Sequence, residues 1–270
     1  MVEAFFTVKD GEFTPGPLAV GPWGPAMMNG RVVGGLLARS VEHDHGDAAF
    51  RPARFTVDLL RPASMAPVTV TTTLVRTGRR IKIVDALLRQ GETLVARAGT
   101  VFLRHSTEPA GRIWAPDDPM PVPPPPAEHG KDPDGSVYMW PHSPGKPGGD
   151  GPVIWQGTGR HSAWIRENRP LVEDEELTPF VRAALAGDVA SPMSHWGSAA
   201  LEFINTDYTL ALGRLPEGPD IGLQTTLRTG ADGISTGTAV FHDHNGPFGT
   251  CTVVALANVD AGFTLRQERH

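Results

Sequence analysis

One pattern occurs twice in this 270-residue chain, and a proline-rich stretch separates the two copies. In the first, Arg54-Phe55-Thr56-Val57-Asp58-Leu59-Leu60-Arg61-Pro62 leads into Val68-Thr69-Val70-Thr71-Thr72-Thr73-Leu74-Val75-Arg76-Thr77-Gly78. In the second, Asn205-Thr206-Asp207-Tyr208-Thr209-Leu210-Ala211-Leu212-Gly213-Arg214 leads into Ile221 and then Thr226-Leu227-Arg228-Thr229-Gly230. Arg61 and Arg214 are 153 residues apart, Gly78 and Gly230 are 152 apart, and the later turn residues Gly91 and Gly246 are 155 apart. Spacing this steady marks an internal duplication, so whatever one half folds into, the other is expected to repeat. Between the copies, 11 Pro and 5 Gly fall within residues 115–150, Pro123 to Pro126 consecutively. Proline fixes φ and supplies no amide hydrogen, so this stretch reads as an extended connector and not as a central strand or helix interior. The expected organisation is an N-terminal unit over 1–110, a linker over 111–152 and a C-terminal unit over 153–270.

Each unit repeats one grammar. The first has a Gly-rich, mostly apolar helix candidate at 29–41, then strand candidates near 52–60, 67–77, 80–90 and 93–104. Val68, Val70, Thr72 and Leu74 keep the period of two that a half-buried strand requires, and Thr77-Gly78 and Gln90-Gly91 supply turns. The second has a helix candidate at about 177–187, continuing irregularly toward Trp196. Its strand candidates lie near 202–213, 220–230, 234–243 and 248–258, with turns at Asp232-Gly233 and Asn245-Gly246. Short extra strands are expected near 3–8 and 160–167. The predicted class is α+β, two helix-plus-antiparallel-sheet repeats forming one continuous curved sheet. An interior helical Gly costs roughly 0.5–1 kcal/mol relative to Ala, so Gly30, Gly34 and Gly35 point to close approach of the sheet or a ligand.

Composition narrows the function classes. A net charge of −6 argues against a nucleic-acid partner, whose recognition rests on clustered Lys and Arg. A single cysteine, Cys251, rules out an intrachain disulfide and a thiolate metal cluster. The N-terminal residues lack a basic start with a long apolar run, and no stretch has the ~18 apolar residues of a membrane span, so the expectation is a cytoplasmic protein. No Gly-rich phosphate loop occurs. Ser191 and Ser194 lack both a Gly-x-Ser-x-Gly elbow and a recognisable relay. His43-Asp44-His45 and His242-Asp243-His244 are His-x-His pairs without a third ligand, so no metal is expected.

The order of motifs also carries a resemblance. Met28-Asn29-Gly30-Arg31-Val32-Val33-Gly34-Gly35-Leu36-Leu37 resembles the helix start of the type II acyl-CoA thioesterases, proteins of double hot-dog fold. Phe55-Thr56-Val57-Asp58-Leu59-Leu60-Arg61-Pro62 resembles that family's strand ending in Leu-Arg-Pro, and Phe203-Ile204-Asn205-Thr206-Asp207-Tyr208-Thr209-Leu210 resembles its later strand. The resemblance implies hydrolysis of an acyl-CoA, no cofactor, and a homo-oligomer. It also implies a water held by an Asp, a Thr and a Gln. Residue by residue, the Asp falls on Asp188 and the Thr on Asn205, or on Thr206 after a slip of one. The Gln falls on Val254, or on Val253 after a slip, and neither can orient water.

Hydrolysis needs a base, a positioned water and donors for the oxyanion. Asp188 is the candidate base, though a cap or exposed carboxylate is an equally ordinary use of Asp. Asn205 both donates and accepts hydrogen bonds, with Thr206 as the fallback. Backbone amides at Asn29 and Gly30 are the candidate substrate donors, because a helix N-terminus leaves N–H groups unpaired. Asn29 lies 159 residues before Asp188, so it is expected to be its counterpart in the first unit. His195 beside Trp196 reads as structural, and Arg61 and Arg214 are candidates for CoA phosphates. With the Gln position occupied by Val, the competing reading is a non-catalytic acyl-CoA or lipid-binding protein.

Overall fold

Alternation of apolar and polar residues builds most of this protein out of long strands. The computed structural model describes residues 3–111, 113–114, 120, 137–142 and 158–262. Hairpin β1 (Phe6–Lys9) and β2 (Glu12–Pro15) comes first, followed by the ribbon β3 (Val20–Gly21) and β4 (Gly24–Met28). Helix α1 (Gly30–His45) precedes β5 (Phe50–Leu59), β6 (Val68–Thr77), β7 (Ile81–Gln90) and β8 (Thr93–Arg104). Then come β9 (Val137–His142), β10 (Ser162–Glu167), α2 (Pro179–His195) and β11 (Phe203–Leu212). Strands β12 (Asp220–Ala231), β13 (Ile234–Asp243) and β14 (Gly246–Ala257) complete the set.

All strands except the β3–β4 ribbon join one 12-stranded sheet, in the order β1-β2-β6-β7-β8-β5-β11-β14-β13-β12-β10-β9. Every named pair in it is antiparallel. The sequence repeat reappears in its register. Thr56 of β5 lies opposite Thr209 of β11, 153 residues later, with their hydroxyls 3.1 Å apart. Both strands also carry a bulge at the same spacing. The β5–β8 register slips at Ala53, between Pro52 and Arg54, and the β11–β14 register slips at Thr206, between Asn205 and Asp207.

One face of the sheet packs on the helices. Phe55, Val57, Tyr208 and Leu210 from the two central strands are fully buried there, with Phe180 of α2 edge-on to Phe55 at 5.3 Å. The helices run antiparallel across this face. Gly30 lies against Asp188 and Gly35 against Leu185, and Glu42 takes a hydrogen bond from the Thr178 hydroxyl. Thr178 also caps α2 by accepting from the Val181 amide at 3.2 Å, and Pro179 occupies the first turn, where its missing N–H costs nothing.

Three sequence expectations change. The interval 111–152 contains an edge strand, β9, in which Pro141 pairs opposite Ala163; an edge tolerates a residue without an amide hydrogen. Most of the remaining linker lies outside the described residues. The irregular continuation expected after residue 187 is instead helical, and α2 runs to His195 through Pro192. The missing Pro192 amide would have bonded to the Asp188 carbonyl, so the disturbance is confined to that turn. Finally, Asn29 caps the start of α1 whereas Asp188 lies in the middle of α2, so the two are not counterparts. The strand spacing of 153 instead pairs Asp188 with Gly35 and Asn205 with Pro52. A Cβ on Gly35 would run into Leu185 and Leu171, so apolar side chains fill that position in the first unit.

Candidate active site

The site forms where the start of α1 meets the middle of α2. Asn29 has extended backbone, and its side-chain oxygen accepts from the Arg31 amide at 3.2 Å, which starts the helix at Gly30. Its own amide donates to the Ala19 carbonyl at 2.8 Å and fixes the approach of the chain. The Gly30 amide meets no acceptor among the described residues. This is the usual state of a first-turn N–H, and it leaves a donor facing out from the positive end of α1.

Gly30 is required because α2 comes so close. A Cβ there would lie 2.9 and 3.1 Å from the two carboxylate oxygens of Asp188. Asp188 Oδ1 accepts from Asn205 Nδ2 at 2.8 Å, and the Arg31 backbone amide, whose hydrogen bond goes to Asn29, adds a weak favourable influence on the carboxylate. Protein surrounds Asp188, although part of its surface stays open to solvent. Burial pushes its carboxyl above the usual carboxylate range; the hydrogen bond from Asn205 and the nearby Arg31 charge oppose this and are outweighed.

The bulge at Thr206 explains how Asn205 reaches Asp188. Without the extra residue, Asn205 and Tyr208 would face opposite sides of the sheet; with it, both turn toward the helices. Thr206 is the extra residue, and its hydroxyl donates to the Val254 carbonyl at 3.3 Å instead of joining Asp188. On the neighbouring strand, Val254 is 37% exposed and lies on the outer face, while Val253 and Ala255 are buried under the helices. The inner face of β14 therefore offers only apolar groups at the level of Asn205, which pairs with Ala255.

Residues that the sequence did not single out hold the site in place. The Arg31 side chain forms a buried ion pair with Glu167, and its guanidinium lies 4.8 Å from the centre of the Phe5 ring. The signal was a lone charge in a run of apolar helical residues, but its partner is 136 residues away. The Tyr208 ring fills the space left by two glycines, Gly34 of α1 and Gly187 of α2. Its hydroxyl donates to the Ala184 carbonyl at 3.0 Å, one helical turn before Asp188.

Other candidates lie elsewhere. His195 Nδ1 donates to the Ser191 carbonyl, not its hydroxyl, and the ring stacks on Phe203. Burial lowers its pKa to about 4, so it is neutral at pH 7. The His-x-His residues do not converge. His43 contacts Asp44, His45 contacts Thr72 and His244 contacts Asp220, and no metal-ligand cluster occurs among the described residues. Arg214 is bound to both carboxylate oxygens of Asp243, and Arg61 is exposed. No helix among the described residues is long and apolar enough to cross a membrane.

A buried carboxylate with raised basicity, a carboxamide bonded to it and an open helix-terminal amide are suited to deprotonating water beside a carbonyl group. Comparisons with known proteins point the same way. Residues 19–103 match the acyl-CoA thioesterase N-terminal domain, and residues 115–257 match the acyl-CoA thioesterase C-terminal domain. Among solved structures, the chain is similar to an acyl-CoA thioesterase II, TesB2, from Mycobacterium marinum. The identity is 13% and the TM-score 0.61, covering 93% of this chain and 94% of that one. A hot-dog protein from Alicyclobacillus acidocaldarius is 15% identical with a TM-score of 0.68, covering 93% and 95%. A tesB protein from Mycobacterium avium subs paratuberculosis is 13% identical with a TM-score of 0.63, covering 93% and 94%. At such identities the likeness bears on the fold alone, a hot-dog fold. No curated protein sequence matches the chain.

Proposed function

Because the chain belongs to the acyl-CoA thioesterase family, we propose that Asp188 and Asn205 hold and activate the water that cleaves an acyl-CoA. The observation that carries this reading is the Asn205 Nδ2 to Asp188 Oδ1 bond of 2.8 Å, made directly against Gly30 at the start of α1. Asn205 fixes the orientation of the carboxylate. Asp188 takes a proton from water as the water oxygen bonds to the thioester carbon, and the Gly30 amide receives the negative charge that develops on the carbonyl oxygen. When the tetrahedral intermediate collapses, the C–S bond breaks and the proton on Asp188 passes to the departing sulfur. The products are the free acid and CoA, with no cofactor needed for atom or charge balance. The constant spacing of 153 residues, seen in the Thr56–Thr209 pair, supports two hot-dog units joined through β5 and β11. In that case only the second unit carries the polar pair.

A second reading, binding of acyl-CoA without turnover, draws support from the apolar inner face of β14, where Val253 and Ala255 stand beside the site. Thiol release by the purified protein, measured with acyl-CoAs of graded chain length, separates the two. Turnover that disappears in Asp188→Asn supports the hydrolase; binding without thiol release by the wild type supports the second reading.

A further inference from the structure

Arg182 is a cation without a carboxylate partner among the described residues. It projects from α2 into a shallow crevice that it shares with Arg31, Glu167, Val189, Pro219 and Ile221. Three carboxylates lie near it, Glu167, Asp220 and Glu176, and the first two are already engaged. Glu167 pairs with Arg31, and Asp220 takes a two-pronged contact from Arg166 at 2.7 and 2.6 Å. Arg182 itself is half-buried, and among the described residues its guanidinium makes one hydrogen bond, from Nη1 to the Glu167 main-chain carbonyl at 3.3 Å. Burial lowers its pKa more than the surrounding carboxylates raise it. A partly desolvated guanidinium with N–H donors to spare and no carboxylate in ion-pair contact among the described residues is a poor structural element. It is a good receptor for an anion with several oxygens.

The position of the crevice narrows the choice of anion. Arg31 links it to the reacting centre, because its charge acts on Asp188 while its side chain lines the crevice. Arg182 is six residues before Asp188 on α2, about 9 Å along the helix axis at 1.5 Å per residue. A group bound there is well removed from the thioester carbon. In an acyl-CoA, the phosphates are likewise far from the thioester, at the other end of the pantetheine arm. We infer that Arg182 docks the phosphates of the CoA half of the substrate, a role that Arg214, committed to Asp243, is not free to take. This rests on the acyl-CoA reading above but not on the identity of the base.

The test needs no hydrolysis. Free CoA and pantetheine, which lacks the phosphates, are titrated by calorimetry into the wild type and into Arg182→Gln, with thermal unfolding of both proteins as the control for folding. The expected result is CoA binding weakened about tenfold or more, the size of one lost charge-assisted contact, and pantetheine binding unchanged. Arg182→Lys, which keeps the charge but not the fork, should fall between wild type and Arg182→Gln. Equal weakening of both ligands would overturn the inference, because it would make Arg182 a wall or a fold element. Unchanged CoA binding would also overturn it and redirect Arg182 to an anion on the acyl side. Activity lost in Asp188→Asn with CoA binding intact separates failure of the base from failure of this dock.

Discussion

Gly30→Ala tests the geometry of the site with a single methyl group. The new Cβ would lie 2.9 Å from Asp188 Oδ1, 3.1 Å from Oδ2 and 3.2 Å from Cγ. Carbon and oxygen in ordinary contact stand at roughly 3.5 Å or more, so the carboxylate must retreat by about half an ångström. Its bond to Asn205 then lengthens or swings away. Misplacement of a reacting group by about 1 Å is worth on the order of a hundredfold in rate, so kcat/KM should fall roughly ten- to a hundredfold. That equals about 1.4–2.7 kcal/mol of transition-state stabilisation. Stability should respond differently. Alanine is the better helix former by up to about 1 kcal/mol, which offsets part of the crowding, so the melting temperature should stay within a few degrees of wild type. Thiol release over a range of acyl-CoA concentrations, alongside a thermal melt, measures both. Full activity in a normally folded Gly30→Ala protein would show that the reaction does not take place between Gly30 and Asp188.

The remaining expectations concern charge, packing and the bulge. Asp188→Asn should abolish turnover yet raise stability at neutral pH. Burial raises the folded-state pKa of Asp188, so ionising it costs stability as pH rises from the unfolded carboxylate value through the folded one. Thermal melts of the two proteins should therefore converge in acid and diverge toward neutral pH. Gly34→Ala would drive a methyl group into the Tyr208 hydroxyl; urea unfolding should show a loss of about 1–3 kcal/mol, smaller in a Tyr208→Ala background. Glu167→Gln leaves Arg31 buried without its counter-charge, and urea unfolding should register on the order of 3 kcal/mol. Thr206→Val removes a hydroxyl that bonds to the Val254 carbonyl; kcat should be unchanged, whereas Asn205→Ala should lower it by at least tenfold.

The eight long strands were legible because half-burial imposes a period of two and Gly-bearing turns close each hairpin. Residues 81–90 and 234–243, for example, stand where alternation and the flanking glycines place strands. Helix α1 runs four residues beyond the apolar pattern, to His45, because His43 and His45 suit the negative end of a helix. What sequence could not supply is register. The bulge at Thr206 decides which of Asn205 and Thr206 turns inward. A one-residue slip on β14 exchanges the exposed Val254 for the buried Val253. The edge strand β9 was hidden by proline, since a rule that bars proline from central strands says nothing against an edge. The Arg31–Glu167 pair and the isolation of Arg182 depend on contacts between distant segments, which no local pattern encodes.

A single turnover in water enriched in oxygen-18 tests the role of Asp188 most directly, with enzyme in excess over acyl-CoA and mass analysis of both the acid and the peptide bearing residue 188. If Asp188 acts only on water, the heavy atom enters the released carboxylic acid and the peptide remains unlabelled. Label in the peptide would mean that the side chain had bonded to the acyl group, which contradicts a water-activating base.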